Sequence, residues 1–219
     1  MKQVNGKWSP PAKAPFTSGV DDSNPFFSSD GNRLIYKSYR DNQNALWIVK
    51  RQGDSWGEPS LLGRPFISPY LAWQASITID GTIYFAMSKQ GFGSHDIYKS
   101  RWDGKEYLEP DKVESKINSD IDEMQPFIAP DESYLIFTRY FSRERTTRLF
   151  ISYRQSDGSW TGAISMGDEI NKVNAAWPWV SPDGKYFFFV SSRNNTDYHY
   201  DVYWMDARII EQFKPEEIR

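Results

Sequence analysis

Four side chains suited to hydrogen bonding and stacking recur along the chain at a nearly constant interval. They are Asn24, Gln74, Gln125 and Trp177, which follow one another after 50, 51 and 52 residues. An amide donates and accepts hydrogen bonds, and an indole offers a flat apolar ring with one N–H donor. If the interval brings the four together at one opening, they predict a site for a polar ligand. The alternative is that the amides only hold ordered water.

Other polar and charged residues fall close to these positions. Trp73, Asp122 and Glu123 flank the recurring set, whereas Arg40 and Arg193 occupy equivalent places in a second group of loops. Guanidinium groups bind carboxylates through paired N–H donors, so one interpretation is that the arginines bind a ligand that carries a carboxylate. The other is that these arginines are solvated or pair with nearby acids. We include all five as candidate ligand-binding residues.

The sequence contains few groups of a kind that carries out catalysis. The only histidines, His95 and His199, precede equivalent segments and lack the close spacing of known metal motifs, so we predict no metal and no cofactor. A metal site or an acid–base pair formed by these two histidines is the less favoured alternative. Nucleophile elbows and phosphate-binding glycine loops are absent from the sequence. The carboxylates Asp122 and Glu123 leave open a glycoside hydrolase or lyase, which requires two acids about 5 to 9 Å apart across a cleft.

The same interval separates four short turn motifs, which are SSDG, TIDG, APDE and SPDG. Their aspartates are Asp30, Asp80, Asp131 and Asp183. A period of about 50 residues is typical of the blades of a β-propeller and exceeds that of helical or leucine-rich solenoids. Loops that are distant in sequence would then converge at one rim, where propellers bind their ligands.

Each unit contains strand-like segments separated by polar turns. A short apolar segment precedes the aspartate, and a run rich in β-branched and aromatic residues follows it, as in LIYKSY from Leu34. A third strand such as DIYKSR from Asp96 comes next. The fourth strand begins at an aromatic residue, which is Trp56, Tyr107 or Trp160. Glu132 stands where the other turns have glycine, so we predict that this turn is either strained or of another type.

These patterns predict an all-β protein, a β-propeller of four four-stranded antiparallel blades. Residues 1–219 form one domain with repeats at about 20–62, 70–113, 121–166 and 174–219. The segment 4–12 around Trp8 matches the fourth-strand motif, so we expect it to pair with the third strand of the last unit as the closing outer strand. A truncated arc of a larger propeller is the alternative. After Asp206 we expect either a strand or a short helix.

Composition narrows the classes of partner. The net charge is −3 without long runs of one sign, which disfavours nucleic acid and anionic membranes as partners. Apolar runs are too short for a membrane span, and the first residues do not have the character of a signal peptide. The chain has no cysteine, which fits cytoplasm, periplasm and cell surface alike and leaves the oligomeric state open.

The motifs SPDG, DIYKS from Asp96, DVYW from Asp201 and GDSWGEP around Trp56 resemble those of the TolB-like β-propeller repeat family. The resemblance implies a propeller fold and a periplasmic or extracellular location, and says little about activity because these residues build turns and strand ends. Our leading hypothesis is a non-catalytic binding propeller that recognises a glycan, a peptide or a small molecule at the mouth of its channel. A carbohydrate-active hydrolase or lyase and a protein-interaction scaffold are the alternatives, so the sequence leaves open whether the protein is an enzyme.

Overall fold

The computed structural model describes residues 3–67, 74–88, 95–192 and 199–218. It is an all-β fold in which antiparallel sheets are arranged as a four-bladed β-propeller, as the sequence predicts. The innermost strands of successive blades pack side by side around the common axis. The period of the turn motifs is therefore the period of the blades.

The strands run in chain order from the N-terminal hairpin through the four blades. The hairpin consists of β1 (Gln3–Val4) and β2 (Lys7–Trp8). Blade 1 contains β3 (Asp22–Phe27), β4 (Arg33–Ser38), β5 (Ala45–Gln52), β6 (Ser55–Trp56) and β7 (Ser60–Leu61). Blade 2 contains β8 (Ala75–Ile77), β9 (Ile83–Met87), β10 (Asp96–Ser100) and β11 (Asp111–Lys112).

Blades 3 and 4 follow the same antiparallel order. Blade 3 contains β12 (Asp122–Ile128), β13 (Tyr134–Phe141), β14 (Thr146–Tyr153) and β15 (Ile164–Ser165). Blade 4 contains β16 (Ala175–Val180), β17 (Tyr186–Ser191) and β18 (Asp201–Asp206). The helical segments in the described part of the chain are α1 (Gly167–Ile170), α2 (Ile209–Gln212) and 3₁₀ turns at Arg40–Asn42 and Glu216–Ile218.

The aspartate of each turn motif closes the hairpin between the first two strands of its blade. In blade 1 the Asp30 carboxylate accepts hydrogen bonds from the Ser28 hydroxyl and from the Asn32 N–H, the latter at 3.0 Å. The next residue, Gly31, takes a positive φ of 67°. Glu132 takes the corresponding position in blade 3 with a φ of 58°, a conformation that L-residues other than glycine adopt only with strain. Of the two alternatives, the strained turn is therefore the one present.

Apolar side chains fill the space between successive blades. Ile35 of blade 1 packs with Ile77 and Phe85 of blade 2, and Trp160 of blade 3 is buried with Tyr84 of blade 2. A further cluster joins blade 3 to blade 4. Trp160 is only 1% exposed. These contacts hold the innermost strands in register around the axis.

The predicted closure by the N-terminal strand is wrong for the residues that the structure describes. Strand β2 pairs with β1, with Gln3 opposite Trp8, and blade 4 contains only the three strands β16, β17 and β18. Asn5 and Gly6 join the two N-terminal strands with φ angles of 50° and 74°, which suit the two-residue turn favoured in hairpins. This local pairing takes precedence over the distant one, and Trp8 is left 65% exposed. After Asp206 the chain forms the short helix α2.

Candidate functional site

A backbone irregularity marks the same point in three innermost strands. Asn24, Gln125 and Trp177 have φ angles of 52°, 54° and 51°, and each precedes a proline. The strand register shifts at these points in β3, β12 and β16. Proline has no N–H for the strand ladder and is confined to such bulges within a sheet. Residues that hold a left-handed conformation without being glycine are concentrated at ligand sites, so these bulges identify the channel mouth as the candidate site.

All four recurring side chains line one cavity at this mouth. The cavity has a volume of about 510 Å³ and is lined by Asn24, Gln74, Gln125 and Trp177 together with the prolines of the three bulges and neighbouring aromatic rings. Every blade therefore contributes its innermost strand. None of the described residues that line the cavity carries a charge, so the cavity suits an uncharged ligand.

The amide of Gln125 ties two blades together. Its Oε1 accepts a hydrogen bond of 2.7 Å from the Thr138 hydroxyl and one of 2.9 Å from the backbone N–H of Trp177. The first bond lies within blade 3 and the second reaches blade 4. The oxygen of Gln125 therefore fixes the position of the Trp177 backbone at the mouth.

The amide of Gln74 has a different environment. Its Oε1 is buried and has no hydrogen-bond partner among the residues that the structure describes. A buried carbonyl oxygen without a partner costs about 1 to 3 kcal/mol, which a ligand or a water molecule that donates a hydrogen bond would recover. The Oε1 of Gln74 is therefore an acceptor at the mouth that still lacks a hydrogen-bond donor among the described residues.

A partly exposed ring, that of Trp177, lines the cavity, and the ring of Tyr200 lies against it. Trp177 is 45% exposed and Tyr200 is 42% exposed. Their rings meet edge to face with centroids 6.2 Å apart. Exposed aromatic faces beside hydrogen-bonding amides give one apolar wall and one polar wall, which is the combination that binds the face and the hydroxyls of a polar ring. Tyr200 directly precedes β18, as His95 precedes β10, and it was not among the candidate residues taken from the sequence.

The predicted acids do not line this cavity. Glu123 is completely buried, and its carboxylate accepts hydrogen bonds from Arg139 Nε at 2.8 Å and from the Ser119 hydroxyl at 2.6 Å. Burial raises the pKa of Glu123, although Ser119 and Arg139 oppose the shift. Because successive residues of a strand point to opposite sides, Asp122 lies elsewhere and lines a separate cavity of about 550 Å³ beside Asp120 and Arg143.

The two histidines have different surroundings. The backbone N–H of His95 donates a hydrogen bond of 2.7 Å to Asp122, and its Nδ1 lies 3.3 Å from the same carboxylate oxygen. His95 is 8% exposed, whereas His199 lies at the surface. Across the described ranges, no group of three or more acidic or histidine side chains is arranged to hold a metal ion.

The remaining predicted residues lie away from the mouth or outside the described residues. Arg40 donates to the Phe16 carbonyl at 2.9 Å, stacks over the Trp47 ring at 4.6 Å and lies 3.8 Å from Asp22. It therefore serves packing within blade 1. Trp73 and Arg193 are outside the residues that the structure describes.

Comparison with known proteins finds solved structures of similar fold. No protein-family model matches the chain, and no curated protein matches it in sequence. TolB from Acinetobacter baumannii superposes with a TM-score of 0.58 at 17% identity, covering 86% of this chain and 42% of that one. An endo-arabinase from Bacteroides thetaiotaomicron VPI-5482 gives a TM-score of 0.58 at 13% identity, covering 87% of this chain and 76% of that one.

A puromycin hydrolase also matches, with a TM-score of 0.52 at 14% identity over 85% of this chain and 27% of that one. The chain thus spans less than half the length of the TolB protein that it matches. Helices in the described residues are too short or too polar to cross a membrane. The turn motifs, the radial arrangement of the blades and these superpositions agree that the chain has the fold of a TolB-like β-propeller.

Proposed function

We propose that this propeller binds an uncharged, polar ligand at the mouth of its channel and leaves that ligand chemically unchanged. The observation that carries the proposal is the cavity of about 510 Å³ whose lining includes Asn24, Gln74, Gln125 and Trp177, one residue from each blade. A volume of this size lies within the usual range for small-molecule sites.

The residues that line the cavity favour a neutral saccharide over a charged small molecule or a charged peptide. Described residues around the cavity are amides, prolines, one alanine and aromatic rings, without a charged group to recognise a carboxylate or an ammonium. A pyranose presents hydroxyls at its edge and C–H groups on its face. The edge matches the amides of Gln74 and Asn24, and the face matches the ring of Trp177.

Binding without reaction is favoured by the positions of the acids. A glycoside hydrolase needs two carboxyl groups that flank one substrate bond. Glu123 is enclosed with Arg139, and Asp122 faces a different cavity. Neither of these carboxylates lines the channel mouth.

Isothermal titration with neutral oligosaccharides and uncharged peptides tests the proposal. We expect a saccharide to bind, and Trp177→Ala or Gln74→Ala to weaken binding by about tenfold, which corresponds to about 1.4 kcal/mol. Trp102→Ala is the matched control, because Trp102 is 48% exposed and lies on blade 2 away from the mouth. Failure of every neutral ligand to bind, or equal loss in the control, would overturn the proposal.

One observation favours a second candidate function. The cavity of about 550 Å³ contains Asp120 and Asp122, and Asp122 contacts His95. These groups have the types needed for acid–base hydrolysis of a glycoside. Assays with chromogenic glycosides test this candidate: activity that Asp122→Asn abolishes would support it, and absence of activity in the unmodified chain would exclude the glycosides tried.

A further inference from the structure

The sheet of blade 4 has apolar side chains on both faces. Phe187 and Phe189 of β17 are 0% and 1% exposed, and they pack against blade 3. On the other side of the sheet lie Tyr186, Phe188 and Val190 of β17, with Trp204 and Val202 of β18 opposite the last two; we call these five residues the fourth-blade outer face. Asp206, opposite Tyr186, bounds this face at the end of the sheet. A sheet with one face in water normally alternates apolar and polar residues, whereas a sheet covered on both faces is apolar throughout.

The rings of this face form a continuous patch. Tyr186 meets Trp204 edge to face with centroids 5.3 Å apart, and it lies 6.3 Å from Phe188. Trp204 is 63% exposed and Val202 is 69% exposed. Isolated apolar residues are common on protein surfaces, but a contiguous group of this kind marks an interaction surface.

The corresponding face of every other blade is covered. Ile35, Tyr84 and Ile136 hold the position of Phe188 in blades 1, 2 and 3, and each is no more than 1% exposed beneath the next blade. The cross-strand partner of Ile136 is Ile151, which is 0% exposed, whereas the partner of Phe188 is Trp204. The fourth-blade outer face thus continues the series of blade-to-blade interfaces.

Blade 1 has no matching face free to cover it. Leu34, Tyr36 and Val49, on the side of blade 1 that faces away from blade 2, are at most 3% exposed. Phe16 and Trp56 from the same chain pack against them. The partner of the fourth-blade outer face must therefore come from outside the described residues.

We propose that this partner is a second copy of the chain, and that two copies associate symmetrically through their fourth-blade outer faces. The face offers on the order of 500 Å² of apolar surface, so a symmetric pair would bury about 1,000 Å², which is the size at which specific interfaces begin. A two-fold contact requires a face that complements itself, and flat rows of rings and valines pack well against each other.

The charges at the rim do not oppose such a contact. Lys185 lies 3.2 Å from Asp183, and Arg208 lies 2.6 Å from Asp206. Each cation is therefore balanced by an adjacent carboxylate at the end of the sheet. Two copies can meet here without repulsion between like charges.

Sedimentation equilibrium of the whole chain over a range of concentrations tests the proposal. We expect a reversible dimer that Trp204→Lys weakens by about tenfold or more, since a charge placed in an apolar interface loses its hydration. Trp8→Lys is the matched control, because Trp8 is 65% exposed on β2, and it should leave the dimer unchanged. Circular dichroism confirms that both variants are folded.

The absence of cysteine allows a second measurement that does not depend on this variant. Pyrene attached to Val202→Cys should give excimer emission in the dimer, because Val202 lies within the small face that both copies would share, whereas pyrene on Trp102→Cys should not. A monomer at every concentration, including one whose outer face binds a different protein, would overturn the proposal. So would a dimer that Trp204→Lys leaves intact or that lacks excimer emission at Val202→Cys.

Discussion

The phenol of Tyr84 in blade 2 donates a hydrogen bond of 2.9 Å to the carboxylate of Glu132 in the turn of blade 3. Tyr84 is 0% exposed, so this bond supplies the acceptor that its buried hydroxyl requires. Glu132 stands where the other turns have glycine. The strain of its positive φ is therefore offset by a contact between two blades.

Replacement of Glu132 should reveal this contact. We expect Glu132→Ala to lower the free energy of unfolding by about 1 to 3 kcal/mol, because the phenol loses its acceptor. The backbone strain is the same with glutamate and with alanine and does not contribute to this difference. Glu132→Gly should cost less, since glycine adopts this conformation freely. Urea denaturation measures both values. In a Tyr84→Phe background the Glu132→Ala change should cost little, and an equal cost there would contradict the assignment.

Trp160 should contribute to stability independently of ligand binding. It is 1% exposed between blades 2 and 3, and the guanidinium of Arg154 lies 5.1 Å from its ring centre. Trp160→Ala should lower the free energy of unfolding by about 3 to 5 kcal/mol through the cavity that it leaves. Trp8→Ala, at an exposed position, is the control and should change it by less than about 0.5 kcal/mol. If thermal denaturation gave similar losses of stability for Trp160→Ala and Trp8→Ala, burial of the tryptophan would not explain its contribution.

Gln125 should couple blade 3 to blade 4. Gln125→Ala removes the acceptor for Thr138 and for the N–H of Trp177, so we expect a loss of about 1 to 3 kcal/mol. Hydrogen exchange should also become faster at the Trp177 amide. Gln74→Ala is the matched control, because the Gln74 oxygen has no partner in the described part of the chain. Unchanged exchange at Trp177 would rule out the coupling.

Alkaline pH should destabilise the fold through buried tyrosines. Burial raises the pKa of Tyr107 and of Tyr134 from 10.0 to about 12 in each case. Below pH 10 both phenols are protonated in the folded and unfolded states, so their contribution to stability is complete. Between pH 10 and about 12 the unfolded chain releases protons that the folded chain retains, and stability falls.

Urea midpoints measured across this pH range test the expectation. Tyr134→Phe should make the decline shallower by removing one titrating group. A Tyr39→Phe variant is the control, because Tyr39 is 52% exposed and its change should leave the slope as it was. A free energy of unfolding that rises between pH 10 and 12 would contradict the expected fall.

Sequence periodicity predicts the blades because each unit contains its own turn chemistry. Asp183, for example, accepts from the Ser181 hydroxyl and from the Lys185 N–H, and these contacts are complete within five residues. The convergence of Asn24 and Gln125 at one cavity also follows from the period. Local contacts that repeat at a fixed interval are therefore visible in the sequence.

Two features were not predicted from the sequence. One depends on which of two possible partners a strand pairs with, and the other on the side of the strand to which a side chain points. Trp8 matches a fourth-strand motif, but the Asn5–Gly6 turn pairs its strand locally. Glu123 is an acid of the kind found in catalytic sites, but its carboxylate pairs with Arg139 in the interior. The Asn24–Pro25 and Gln125–Pro126 pairs were present as a signal for the bulges, since proline cannot continue a strand ladder.

The bulges also have a consequence for how an occupant of the mouth is oriented. Three innermost strands carry the residue–proline pair, whereas β8 has Ala75 after Gln74 and pairs with β9 in an unbroken register. Four chemically identical strands would give a bound molecule four equivalent poses. Because the strand of blade 2 is regular and the other three are bulged, the four poses are no longer equivalent. A bound molecule would therefore favour one orientation at the mouth.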